Sequence, residues 1–215
     1  MPKLPVPDVL LRTLSRQLGG PSGALGVVVA RMLNKGNRPT ITAAAGALEL
    51  TGSEEVADIG FGGGLGLELL LDATRDGGRV HGVDPSPDML TRARKAHHEE
   101  VAAGRLALHE AGMEALPIAD GALDGWISLN TVYFVEDLSP ALAELRRVLA
   151  SAGRGVLGVA DPDWMAQRAF TKHNFTLRPV PDVVAALTAT GFSVERRTME
   201  GSPPFNLLVC RPVPA

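Results

Sequence analysis

Apolar positions along the chain follow two rhythms. Val9, Leu10, Leu11, Leu14 and Leu18 recur at helical spacing, and Gly19-Gly20-Pro21 ends the run. GALGVVVARML (23–33) repeats that spacing up to the break NKGNRP, and TITAAAGALEL (40–50) repeats it up to Gly52. Three short helices are therefore predicted over 1–50, a helical cap or lid with its Gly/Pro breaks as hinge points. From Glu54 the rhythm changes. Short strand-like runs appear at EVADIG (55–60), RVHGVD (79–84), RLALHEA (105–111), DGWISLN (124–130), RGVLGVAD (154–161), FSVERRTM (192–199) and FNLLVCRP (205–212). Helical stretches separate them. One runs from Leu65 to about Thr74, and one covers 86–104 with Ser86 as N-cap and Pro87 as first helical residue. Another carries Leu142, Leu145, Val148 and Leu149 on one face, and a last one ends at Gly191. Strands alternating with helices predict an α/β fold: a doubly wound, Rossmann-like sheet of seven strands, mostly parallel, with an antiparallel strand at one edge where the last two runs pair.

The turn after the first strand is the most unusual stretch. VADIGFGGGLG places Gly60, Gly62, Gly63, Gly64 and Gly66 within seven positions. Each glycine costs conformational entropy, so a bare backbone must be needed there. In such sheets ligands lie at the carboxyl ends of the strands, near the switch point. Two phosphate-cradling patterns fail on the residues. A dinucleotide fingerprint G-x-G-x-x-G/A would need Gly or Ala at 65, 67 or 69, and all three are leucine. A P-loop would need G-K-[ST], which is missing. The pattern that fits is acid-x-Gly-x-Gly-x-Gly: Asp58, Gly60, Gly62, Gly64. The second strand ends on Asp84, placed to accept hydrogen bonds from both hydroxyls of a ribose.

These residues resemble the class I S-adenosylmethionine-dependent methyltransferases. The likeness covers about residues 54–160. It rests on the glycine pattern, on VHGVDPSPDML with Asp84, Pro85 and Met89, and on AGMEALPIADGALDGW with Gly112, Met113 and Glu114. The resemblance implies cofactor contacts at Asp58, Gly60, Gly62, Gly64 and Asp84. Met89 is expected against the adenine, the 112–114 segment along its edge, and Asn130 and Thr131, after the fourth strand, near the methionine part. Gly112 stands where relatives commonly carry an acid. The implied activity is methyl transfer from S-adenosylmethionine, leaving S-adenosylhomocysteine, to a small molecule through an O, N or C nucleophile. The acceptor resembles those of quinone and natural-product methyltransferases. NTVY (130–133) lacks the double proline of enzymes that methylate base amines. Tyr133 and His173 are the candidate bases, with Glu136, Asp161 and Asp163 behind them. Trp164, Phe170 and Phe175 are candidates for the acceptor wall, and Asn34, Asn37 and Arg38 for orienting polar groups. A non-catalytic cofactor-binding partner and a nicotinamide-dependent oxidoreductase are the alternatives.

Composition narrows this further. At 215 residues the chain suits one domain, 51–215, plus the cap. Apolar residues make up 45% and aromatics 4%, so the core is expected to be aliphatic. A net charge of −3 gives no footprint for nucleic acid or an anionic membrane. The single cysteine, Cys210, allows no internal disulfide and no cysteine-based metal site, and a buried inert thiol is expected. No apolar run reaches the ~18 residues of a membrane span, and no signal segment is evident. A cytoplasmic monomer or homodimer is the expectation.

Overall fold

The structure is a computed structural model describing residues 8–19, 23–201 and 203–214, with the side chains of 24–35 outside the description. A seven-stranded sheet forms its centre. The strands are β1 (Glu55–Ile59), β2 (Arg79–Asp84), β3 (Leu106–Glu110), β4 (Leu123–Leu129), β5 (Leu149–Ala160), β6 (Phe192–Met199) and β7 (Phe205–Pro212). Their order across the sheet is β3-β2-β1-β4-β5-β7-β6. β1 to β5 run parallel, and β7 lies antiparallel to both neighbours. The strand order reverses between β1 and β4, which fixes the switch point at their carboxyl ends.

The alternating pattern is thus realised as expected, with one refinement: the antiparallel strand β7 sits inside the sheet and β6 forms the edge. Charged Glu195, Arg196 and Arg197 on β6 protect that edge from further pairing. β5 also starts earlier than the sequence suggests. Leu149 pairs with Leu123 and Arg154 with Gly125, so the intervening residues are absorbed in an irregularity of the ladder.

Helices flank the sheet: α1 (Asp8–Gly19), α2 (Gly23–Ala47), α3 (Leu65–Ala73), α4 (Pro87–Ala96), α5 (His98–Ala102), α6 (Leu138–Val148), α7 (Pro162–Ala166) and α8 (Val180–Ala189). The expected break at 34–39 is absent, because α2 runs through it with Pro39 inside. Proline removes one amide donor there, and the helix beyond it is held by burial of Ala44, Ala47 and Leu48. Of the other expected break, positions 20–22 lie outside the described residues. The single helix predicted over 86–104 divides at His97, whose backbone (φ −119°, ψ 39°) leaves helical geometry.

The core is aliphatic apart from a few rings. Trp126 is fully buried, its indole N–H donates to the Leu145 carbonyl at 3.2 Å, and a Cβ at Gly155 would strike its ring. Cys210 is buried on β7, and burial pushes its thiol up to about 12.

Candidate active site

The glycine turn leaves β1 toward a cavity of about 470 Å³ at the carboxyl ends of β1, β2 and β4. Local geometry explains why the turn must be bare. Gly60 has φ 76°, and a Cβ on it would strike the Thr131 methyl group. Gly62 has φ 48°, but a Cβ there would meet nothing nearer than the Gly60 carbonyl at 4.0 Å. The first glycine therefore serves packing, and the second leaves open space facing the cavity. Gly66 serves a third purpose, since a side chain there would collide with the Asp58 carboxylate.

Two carboxylates stand behind this turn. Asp84, at the end of β2, accepts the Gly62 N–H at 2.8 Å and the Ser86 N–H at 2.9 Å. It thereby ties the glycine turn to the start of α4. Burial raises its pKa, and these two hydrogen bonds oppose the rise. Asp58 is 5% exposed and makes no hydrogen bond among the described residues. Burial, and then the Asp84 charge, push it up to about 8. No described lysine or arginine lines the cavity. Two buried acids thus stand behind the turn with no described cation beside them.

Asn130 and Thr131 follow β4. Asn130 adopts φ 60°, a strained position that asparagine tolerates better than most residues, and its N–H donates to Gly158 at 2.9 Å. The Ser128 hydroxyl bonds the Ile59 carbonyl at 2.8 Å and lies 2.5 Å from the Thr131 hydroxyl. Gly112, Met113 and Glu114 complete this side from the loop between β3 and β4. Arg147 on α6 clamps that loop, donating to the carbonyls of Leu116 (2.9 Å) and Ile118 (2.8 Å) and to Glu144 and Asp120.

The cavity thus gathers Asp58, Gly60, Gly62, Asp84, Pro85, Gly112, Met113, Glu114, Asn130, Thr131 and Tyr133 from the residues singled out in the sequence. Asn37, Trp164, Phe170 and Phe175 line it too, whereas Arg38 does not. Asn34 lies outside the described side chains. Four of the expected residues do not take the places expected of them. Gly64 caps α3 with φ 84° and does not line the cavity. Met89 is buried in the core under α4, 2% exposed, and does not reach it. His173 faces away: its Nε2 lies 3.0 Å from Asp8 Oδ1 and its carbonyl accepts the Ser15 hydroxyl, so it joins α1 to the segment after α7. Tyr133 presents only its ring. Its hydroxyl accepts the Ala160 N–H at 2.6 Å, and burial drives its pKa well above the ordinary phenol range, which removes it as a base. Sequence reasoning missed Leu18, Gly19, Ile41, Phe61, Gly63, Phe134 and Phe205. Of these only Phe61 and Gly63, inside the glycine turn, carried a signal.

Fold and site define a Rossmann-like domain with its ligand cleft at the switch point. Residues 57–157 match the family model described as "Methyltransferase domain". An uncharacterized 37.1 kDa protein in transposon TN4556 of Streptomyces fradiae is 36% identical over 135 residues, 59% of this chain. The chain spans 38% of that relative's length. Among solved structures, a chain from the complex between the Haloferax volcanii Trm112 methyltransferase activator and a methyltransferase superposes with a TM-score of 0.79 at 18% identity, covering 94% of this chain and 98% of that one. Geranyl diphosphate C-methyltransferase from Streptomyces coelicolor, solved with Mg2+, geranyl diphosphate and S-adenosyl-L-homocysteine, gives 0.69 at 17% identity, covering 92% and 88%. Residues 57–157 thus match a methyltransferase domain, and the fold is that of the methyltransferase structures on which the chain superposes.

Proposed function

We propose that this chain transfers a methyl group from S-adenosylmethionine to a small-molecule acceptor. The observation that carries this reading is the pair of buried carboxylates, Asp58 and Asp84, behind an open glycine turn with no described cation facing them. A ligand that brings positive charge and ribose hydroxyls fits that arrangement. Asp84 has lone pairs left, beyond those taken by Gly62 and Ser86, to receive two hydroxyls. Asp58, which gives up its proton more readily once a cation lies beside it, supplies negative charge close to it. Gly60 and Gly62 let the ligand lie against backbone, Gly112, Met113 and Glu114 flank the nucleobase, and Asn130 and Thr131 meet the amino-acid part. Gly64 and Met89 have no direct part in this scheme.

When bound, S-adenosylmethionine supplies an electrophilic methyl on a positively charged sulfur, and that charge disappears as the methyl leaves. The chain's own contribution is positioning and the exclusion of water. Holding two reactants in line removes much of the entropy barrier, and the apolar lining favours the less charged transition state. Helix α1 and the end of α2, which contribute Leu18, Gly19, Asn37 and Ile41 to the lining, act as the cover over the cleft. Among the described residues no helix is long and apolar enough to cross a membrane, and no group of three His, Cys, Asp or Glu residues is arranged to hold a metal.

The test is incubation of the chain with a metabolite extract and methyl-labelled S-adenosylmethionine. Label transferred to a low-molecular-weight product supports the reading. Binding of S-adenosylhomocysteine without any transfer assigns the chain to the non-catalytic alternative.

A further inference from the structure

The part of the cavity remote from the glycine turn is walled by rings. Phe175 lies at its centre, with ring centroids 4.8 Å from Phe134, 5.7 Å from Tyr133 and 5.8 Å from Phe170. Trp164 closes the same wall. Several ionisable groups near it are engaged elsewhere or do not face the cavity. The Tyr133 hydroxyl is held by Ala160. Asp161 caps α7 by accepting the Trp164 N–H at 2.8 Å. Arg178 donates to the carbonyls of Val132, Val135 and Glu136. The Arg168 guanidinium lies 3.8 Å over the Trp164 ring with its buried Nε unbonded among the described residues, but it does not line the cavity. His173 pairs with Asp8 outside the cavity.

We infer that the acceptor is an uncharged molecule built on an apolar ring system. The inference rests on the methyltransferase reading for the word acceptor, but the chemistry of the wall stands by itself. Clustered rings favour another ring in edge-to-face or offset contact. Among the described residues no lysine or arginine lines the cavity to pair with an anionic head group, which would be buried at a large desolvation cost. Asp58, Asp84 and Glu114 on the other side of the same cavity would repel it further.

The experiment uses the full chain and two fluorescent probes with the same fused ring system and aniline, N-phenylnaphthylamine and its sulfonated analogue anilinonaphthalenesulfonate. Each is titrated with and without saturating S-adenosylhomocysteine, after calorimetry has measured binding of the latter. The neutral probe is expected to bind saturably and the sulfonate at least about tenfold more weakly, the consequence of an unpaired buried charge. Phe175→Ala is expected to weaken the neutral probe about fivefold through lost ring contact, with affinity for S-adenosylhomocysteine unchanged. Phe170→Ala carries the same expectation should Phe175→Ala not fold. Equal or tighter binding of the sulfonate, no saturable binding of the neutral probe, or neutral-probe affinity unchanged in the folded variants would overturn the inference. Failure of the wild-type chain to bind S-adenosylhomocysteine overturns the methyltransferase reading instead, and the probe titration without it still reports on the wall.

Discussion

Replacing Asp84 with alanine removes one carboxylate that does two jobs. Toward the protein it accepts the N–H groups of Gly62 and Ser86 at 2.8 and 2.9 Å. In the proposed function its remaining lone pairs also receive the ribose hydroxyls of the ligand. A hydrogen bond to a charged group contributes about 1.5–3 kcal/mol. Losing the ribose contact should therefore raise the Kd for S-adenosylhomocysteine about 10- to 150-fold, at 1.4 kcal/mol per factor of ten. Two N–H groups are also left unpaired, at about 1–3 kcal/mol each if water cannot reach them. Relief of the repulsion on Asp58 offsets part of this. Melting temperature should accordingly fall as well. Asp84→Asn keeps one acceptor oxygen and should lose less affinity than alanine. Calorimetry against S-adenosylhomocysteine, with a melting curve for each variant, reads both effects. A folded Asp84→Ala chain that binds within twofold of wild type would refute the ribose assignment.

The glycine turn yields a paired test: Gly60→Ala, forced against Thr131 at φ 76°, should cost about 2 kcal/mol or more of stability. Gly62→Asn, entering open space at an angle asparagine tolerates, should keep its melting temperature and lose ligand binding. For Asp58, the folded pKa of about 8 lies above its ordinary 3.8, so the folded chain holds that proton more tightly than the unfolded chain. Its contribution to ligand-free stability is whole below about pH 4 and is lost as pH rises through about 8. Melting curves across that window should fall with pH, and Asp58→Asn should flatten the decline. Arg147→Ala should cost about 2–3 kcal/mol through lost charged hydrogen bonds and speed amide exchange in 111–122, leaving α3 amides unaffected.

The seven strands were legible because each is a short apolar run bounded by turn residues, and the glycine turn because five glycines cannot be explained by local propensity. Asp84 was legible from its place at a strand end. Its second role, bracing Gly62, was not, since that bond joins residues 22 apart in the chain. The continuous α2 was missed because Pro39 is a breaking signal, and the burial of Ala44, Ala47 and Leu48 that holds the helix is tertiary. Met89 and His173 failed for a related reason: the family resemblance put Met89 at the site and a place beyond the fifth strand put His173 there, but packing turned Met89 into the core and His173 toward Asp8. The ring wall was half legible. Trp164, Phe170 and Phe175 stood out as rare aromatics, but nothing in the sequence told that Phe134 would join Phe175 at 4.8 Å.

The central claim is that the cleft is built for an adenosyl sulfonium donor. Calorimetric titration of the full chain with S-adenosylhomocysteine, and separately with NAD and NADP, tests it most directly. The account predicts saturable one-to-one binding of S-adenosylhomocysteine, with no binding of either dinucleotide, and loss of that binding in Gly62→Asn. Tighter binding of a dinucleotide, or no heat with S-adenosylhomocysteine from the folded wild-type chain, would contradict it.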